Sequence, residues 1–284
     1  MKQLLKLSTF CALLALIAIT EHKPESKELC HLMDNVEEKI PVESDTGIDE
    51  ATFNRVLDKF ASVYNSIVKK EGYSLVIVRK WKDETINAST TVRGKDWIIN
   101  AYGGLARYPS MNAETYMMVM CHEMGHHLAG FPAQGWASNE GQSDYYATMK
   151  CYRRLVESGY DDGLYNADVP KLVEEACSKQ HKSLDDITVC KKGASIGYTL
   201  ANILNSLSGS SNTVNFDTPD KSKVSKTNNA HPKAQCRLDT YYAGAVCGIH
   251  YTEEFSSSDP VVGACAEEKK DTFGVRPNCW YKPQ

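Results

Sequence analysis

"MMVMCHEMGHHLAG", residues 117–130, is the stretch on which the reading of this chain turns. Met117, Met118, Val119 and Met120 precede a polar cluster and Leu128 follows it, so the run reads as a buried helix. Inside it sit His122, Glu123, His126 and His127. Burying three imidazoles and a carboxylate without partners is costly. His122 and His126 stand four residues apart and share one helix face. Two imidazoles so placed can grip one zinc ion, and Glu123 can hold a water at that ion as general base. A chance match, or a polar patch on a surface helix, is the competing explanation; the apolar setting favours the metal. Gly125, inside the helix, leaves room for a close backbone approach at some cost in helix propensity. His127 points about 100° around the helix from His126, so a hydrogen bond in the core or at the surface is expected of it. Cys121 is expected in a disulfide or as a buried thiol.

A catalytic zinc needs a third protein ligand and an open position. The metzincin pattern would place Gly and His where this chain has Ala129 and Pro132, which excludes that class. The next helix offers "NEGQSD", residues 139–144, with Glu140 and Asp144 again on one face. Glu140 as ligand would leave Asp144 to accept the outer N–H of a histidine and so fix its ring. The alternatives are Asp144 as the third ligand, favoured by the short separation of Glu140 from His126, or an ordinary acidic first turn. Farther along, "HPKAQCR" brings His231 and Arg237. His231 is either a donor to a developing oxyanion near the open zinc position or a neighbour of a helix N-cap. Arg237 either pairs with an acidic residue such as Asp144 or forms a structural ion pair.

"HEMGH" followed by "NEGQSD" resembles the gluzincin metallopeptidases, the thermolysin-like group. "AHPKAQCRL", residues 230–238, resembles the segment with His-Pro and a later Arg in the CaaX prenyl endopeptidase-like and bacterial envelope-protease family. The positions that match are Glu140, Asp144, His231, Pro232 and Arg237, and the resemblance spans roughly residues 70–245. It implies a peptidase with a Glu ligand and an Asp four residues on. The chain departs from the membrane-embedded members in lacking transmembrane helices, so a soluble, exported relative fits better.

The rest of the chain agrees with that fold. Residues 49–72 carry apolar side chains at helical spacing and end in Lys-Lys-Glu-Gly. Residues 73–81, 85–92 and 96–104 read as strands, the last as an edge strand on which a peptide could pair. Asn112 is the expected N-cap of the motif helix, which stops at Gly130. Helices are expected near 138–158, 167–180, 184–207 and 231–248, with a long polar loop at 209–230 and an irregular tail at 249–284. The expected class is α+β and zincin-like: a small mixed sheet with an edge strand, the HExxH helix and a following Glu-bearing helix, with disulfides.

Residues 1–20 have Lys2 and Lys6 before an apolar run, with Ala18 and Thr20 suited to cleavage before Glu21. They read as a signal peptide, the alternative being an uncleaved anchor; Phe10 before Cys11 argues against a lipoprotein. Residues 21–48 read as a loose N-terminal segment, and 49–284 as one domain. Beyond Cys11 nine cysteines remain, so an exported chain would form disulfides and leave one over. Cys177 with Cys190, and Cys265 with Cys279, are the neighbouring pairs. A net charge of −4 and the lack of a basic run count against nucleic acid. The expectation is an exported endopeptidase, periplasmic or secreted, with one zinc per chain and polypeptide substrates. It would not stay inserted in a membrane after signal cleavage. The alternatives are a zinc-binding or interaction protein of the same fold without turnover, and a disulfide-rich structural protein.

Overall fold

The computed structural model describes residues 29–34, 36–160 and 168–283. The signal segment expected at 1–20 lies outside them. Strand β1 is Cys30–His31, followed by helix α1 (Glu50–Lys70) and strands β2 (Ser74–Lys80), β3 (Ala88–Arg93) and β4 (Asp96–Tyr102). A single turn, α2 (Gly103–Ala106), leads to the motif helix α3 (Ala113–Leu128). A small hairpin of β5 (Ala133–Gln134) and β6 (Ala137–Ser138) comes next. Then α4 (Glu140–Tyr146), a π-helical turn (Ala147–Tyr152) and α5 (Arg153–Glu157) follow without a break. Three more helices complete the frame: α6 (Lys171–Gln180), α7 (Leu184–Leu207) and α8 (Ala234–Val246).

Local chemistry sets these boundaries. Asp49 caps α1 by accepting from the Thr52 amide at 2.8 Å, and Asn112 caps α3 by accepting from the Thr115 amide at 2.8 Å. Asn139 does the same for α4 through the Gln142 amide, which places Glu140 at the first helical position. The buried face of α1, with Phe53, Phe60 and Tyr64, joins Tyr116, Met117 and Met120 of α3 in the main core beneath the sheet. Ring contacts such as Phe53 to Tyr116, 5.4 Å between centroids, fix how the two helices lie together.

The sheet is small and mixed, with strand order β1-β3-β4-β2. β4 pairs antiparallel with β3 and parallel with β2. The strand at 96–104, expected to be an edge, is therefore interior. Its burial, with Trp97, Ile98, Ile99 and Ala101 all inside, is that of a strand covered on both sides. The edge on that side of the sheet belongs to β3, and it is taken by β1, which pairs Cys30 with Thr90 and His31 with Ser89. Part of the segment expected to be loose is thus built into the sheet, and Leu32, Met33, Ile40 and Ile48 within it are buried.

Among the described residues four disulfides join Cys121 to Cys151, Cys177 to Cys190, Cys236 to Cys279 and Cys247 to Cys265. The pairing of Cys265 with Cys279 is corrected: each reaches instead to an end of α8, Cys279 to Cys236 and Cys265 to Cys247. The tail after α8 is thereby stapled at two points to the helix it follows. The bonds suit an oxidising, exported setting. Among the described residues no helix is long and apolar enough to cross a membrane.

Candidate metal centre

His122 and His126 project from α3 toward Glu140 at the start of α4. Gly125 lets the two helices meet this closely: a Cβ there would stand 2.7 Å from Ser143 Cα. The imidazole planes of His122 and His126 are perpendicular, with centroids 4.9 Å apart. His122 Nε2 lies 3.2 Å from Glu140 Oε2, and His126 Nε2 lies 3.7 Å from Glu140 Oε1. One ligand atom from each of the three residues falls within 4.8 Å of the other two.

The opposite nitrogen of each ring is anchored. His122 Nδ1 donates to Asp144 Oδ1 at 2.8 Å. His126 Nδ1 donates to the Ser138 carbonyl at 2.9 Å, with Ser143 Oγ 3.2 Å away. Both Nε2 atoms therefore face one small space, where each carries a lone pair when its ring is neutral. They are buried there without a hydrogen-bond partner, as are Glu140 Oε2 and both oxygens of Glu123. So many orphaned polar atoms at one point call for an explanation. Two imidazoles and a carboxylate with fixed tautomers are a donor set that a divalent cation satisfies, so these residues fit a metal ion.

Asp144 is the hub of the surrounding network. Arg237 donates to it twice, Nε to Oδ2 at 2.8 Å and Nη2 to Oδ1 at 2.7 Å, and the Tyr241 hydroxyl donates to Oδ1 as well. Burial alone would raise the Asp144 pKa, but Arg237 and the His122 ring outweigh it and hold the carboxyl well below its ordinary range. With its oxygens so occupied, Asp144 stands behind His122, and Glu140 is the carboxylate of the group that could hold a metal ion. Burial also works against ionisation of Glu140, yet His126, His122 and His231 together bring its pKa down to about 2. Glu123 differs. Burial, with the Glu140 charge adding to it, pushes its pKa up to about 8.

His231 lies three residues before α8. Its Nε2 is 3.4 Å from Glu140 Oε2 and donates to the His31 carbonyl at 2.8 Å; its Nδ1 is 3.1 Å from Asp34 Oδ1. His127 is turned away from the metal group, stacked on Trp97 at 4.4 Å and bonded to Thr90 Oγ1. Comparison with protein-family models, with curated proteins and with solved structures finds no match.

Tyr241, the Ser138 carbonyl and β1 were not found by sequence reasoning. Tyr241 carried a signal, since it follows Arg237 by one helical turn and shares its face. The Ser138 carbonyl carried none, because a backbone acceptor has no residue signature. β1 is two residues in a polar stretch, too short for any periodicity.

Proposed function

We propose that this protein is a zincin-like, zinc-dependent endopeptidase of the exported kind, with His122, His126 and Glu140 as the protein ligands of one zinc ion. The observation that carries the reading is Glu123. A site built only to hold metal has no use for a third buried carboxyl with neither oxygen hydrogen-bonded. When bound, the ion would supply Lewis acidity, lowering the pKa of a water and polarising a peptide carbonyl.

The chain's own residues perform the remaining work. Asp144 and the Ser138 carbonyl lock the two imidazoles in the tautomer that leaves Nε2 free. Glu123, next to His122 on α3, takes a proton from the attacking water at its carboxylate and returns it to the leaving amine. Burial makes that carboxyl unusually basic, and a cation held by the three ligands pulls the other way, toward the intermediate pKa that suits proton transfer. His231 stands at the mouth of the site with its Nε2–H on the His31 carbonyl, a place that a substrate carbonyl oxygen would take over. Substrates are extended polypeptides.

The test is cleavage of casein by the zinc-loaded mature chain beside Glu123→Gln. Cleavage should fall by about a hundredfold or more, with zinc content unchanged. Turnover by the variant equal to that of the parent would remove Glu123 as the base. Stoichiometric zinc with no cleavage by either protein would favour the second reading, a zinc-binding protein without turnover.

A further inference from the structure

The edge of β3 is the place where an extended chain would pair beside the metal group, and here it is filled by residues 30–34 of the same chain. The pairing is antiparallel, and the Leu32 amide donates to the Ala88 carbonyl at 3.0 Å. Three successive carbonyls of this segment each accept from a side chain: His31 from His231 Nε2 at 2.8 Å, Leu32 from Arg237 Nη1 at 2.7 Å, and Met33 from Asn87 Nδ2 at 3.1 Å. Two of those donors, His231 and Arg237, belong to the site already described. Reading backbone carbonyls rather than side chains is how a protein holds a polypeptide of any sequence.

The segment also stands in the cleft. A cavity of about 350 Å³ is lined by His31, His126 and Glu140, and a second of about 760 Å³ by Leu204 and Pro232. Both share Met33, Asp34 and His231, so the segment lies as a partition between them. The His31 ring comes within electrostatic reach of Glu140 and His231, and its Nδ1 is buried without a hydrogen-bond partner. A strand serving only to cover an exposed sheet edge needs none of these contacts with the site.

We infer that residues 30–34 are a pseudosubstrate strand: they hold the position of a polypeptide's main chain on β3, and an incoming extended polypeptide must displace them. The ligand class, an extended polypeptide, rests on the peptidase reading. The ladder to be broken is only two residues long, which makes local opening accessible without unfolding the domain.

The experiment uses the full chain carrying Glu123→Gln, zinc-loaded, with reduced and carboxymethylated casein as the probe. Saturating casein should speed hydrogen exchange at the Leu32 amide about tenfold. Leu32→Ser, which withdraws a fully buried anchor of the segment, should bind casein about tenfold more tightly because a larger fraction of molecules is open. Met33→Ser is the milder variant should Leu32→Ser fold poorly. Casein that binds all three proteins equally and leaves Leu32 protected would overturn the inference, as would no casein binding by any of them. Casein that exposes the Leu32 amide as expected, with no cleavage by the same chains when Glu123 is restored, would leave the pseudosubstrate strand standing and remove the peptidase reading.

Discussion

Asp144 shows how much the arrangement of His122 and Glu140 depends on a residue outside the His122–His126–Glu140 group. Its carboxylate faces His122, Arg237 and Tyr241 in a space closed to water. Asp144→Asn would leave the Arg237 guanidinium buried without its counter-charge and would offer His122 Nδ1 an uncharged partner. Zinc affinity is expected to fall between about tenfold and a hundredfold, read by competition with a chromophoric chelator. Stability should fall by about 3–5 kcal/mol, read by thermal denaturation. Zinc affinity equal to that of the parent would show that the Asp144 contact does not set the His122 ring. At this scale the sequence was informative where chemistry repeats at helical spacing. His122 with His126, and Glu140 with Asp144, were legible because four-residue spacing places side chains on one face. Whether Glu140 or Asp144 met the histidines was not legible, since that depends on the angle between two helices.

The approach of α3 to α4 is an element-scale property with a single small residue at its centre. Gly125→Ala would set a methyl 2.7 Å from Ser143 Cα and 2.9 Å from Ser143 O, both backbone atoms that cannot swing aside. The helices must then part, which moves Glu140 relative to the histidines. The expected cost is about 1–3 kcal/mol, a fall in Tm of several degrees at about 2–4 °C per kcal/mol, together with reduced zinc occupancy. A melt and a zinc content both equal to the parent's would show that the contact relaxes freely. Helices as elements were well marked in the sequence: Asn112 is the cap of α3, and α1 ends within two residues of the expected place. Sheet order was not. The run at 96–104 has the same local pattern whether it has one neighbour or two, and nothing in the runs at 73–81 and 85–92 says that both of them pair with it. Of the two neighbouring cysteine pairs, Cys177 with Cys190 is borne out and Cys265 with Cys279 is not, because proximity along the chain says little about which helix end a tail returns to.

At the scale of the whole molecule, acid sensitivity follows from a buried histidine far from the metal group. Arg153 Nη2 donates to His181 Nε2 at 2.8 Å, so the ring is held neutral. Burial, reinforced by the Arg153 charge, lowers its pKa from 6.5 to about 4. Below pH 6.5 the unfolded chain takes up a proton at this ring while the folded chain does not, so stability must drop as pH falls from 6.5 toward 4. The loss traceable to this residue is on the order of 2 kcal/mol. Urea denaturation of the parent and of His181→Gln at a series of pH values isolates it: the difference between the two curves should shrink across that window. A difference independent of pH would mean that His181 accepts its proton in the fold as readily as in the unfolded chain.

The bond between Cys121 and Cys151 closes a covalent ring with a sequence separation of 30, and His122, Glu123, His126, Glu140 and Asp144 all lie inside it. That ring persists when the rest of the chain comes apart. By loop-closure entropy it removes about 3.5 kcal/mol of freedom from the disordered ensemble. An oxidised but unfolded chain would therefore keep the side chains of His122, His126 and Glu140 at a high effective concentration toward one another and, on the metal reading, could capture an ion before its helices form. The metal would then act as a template around which the helices dock.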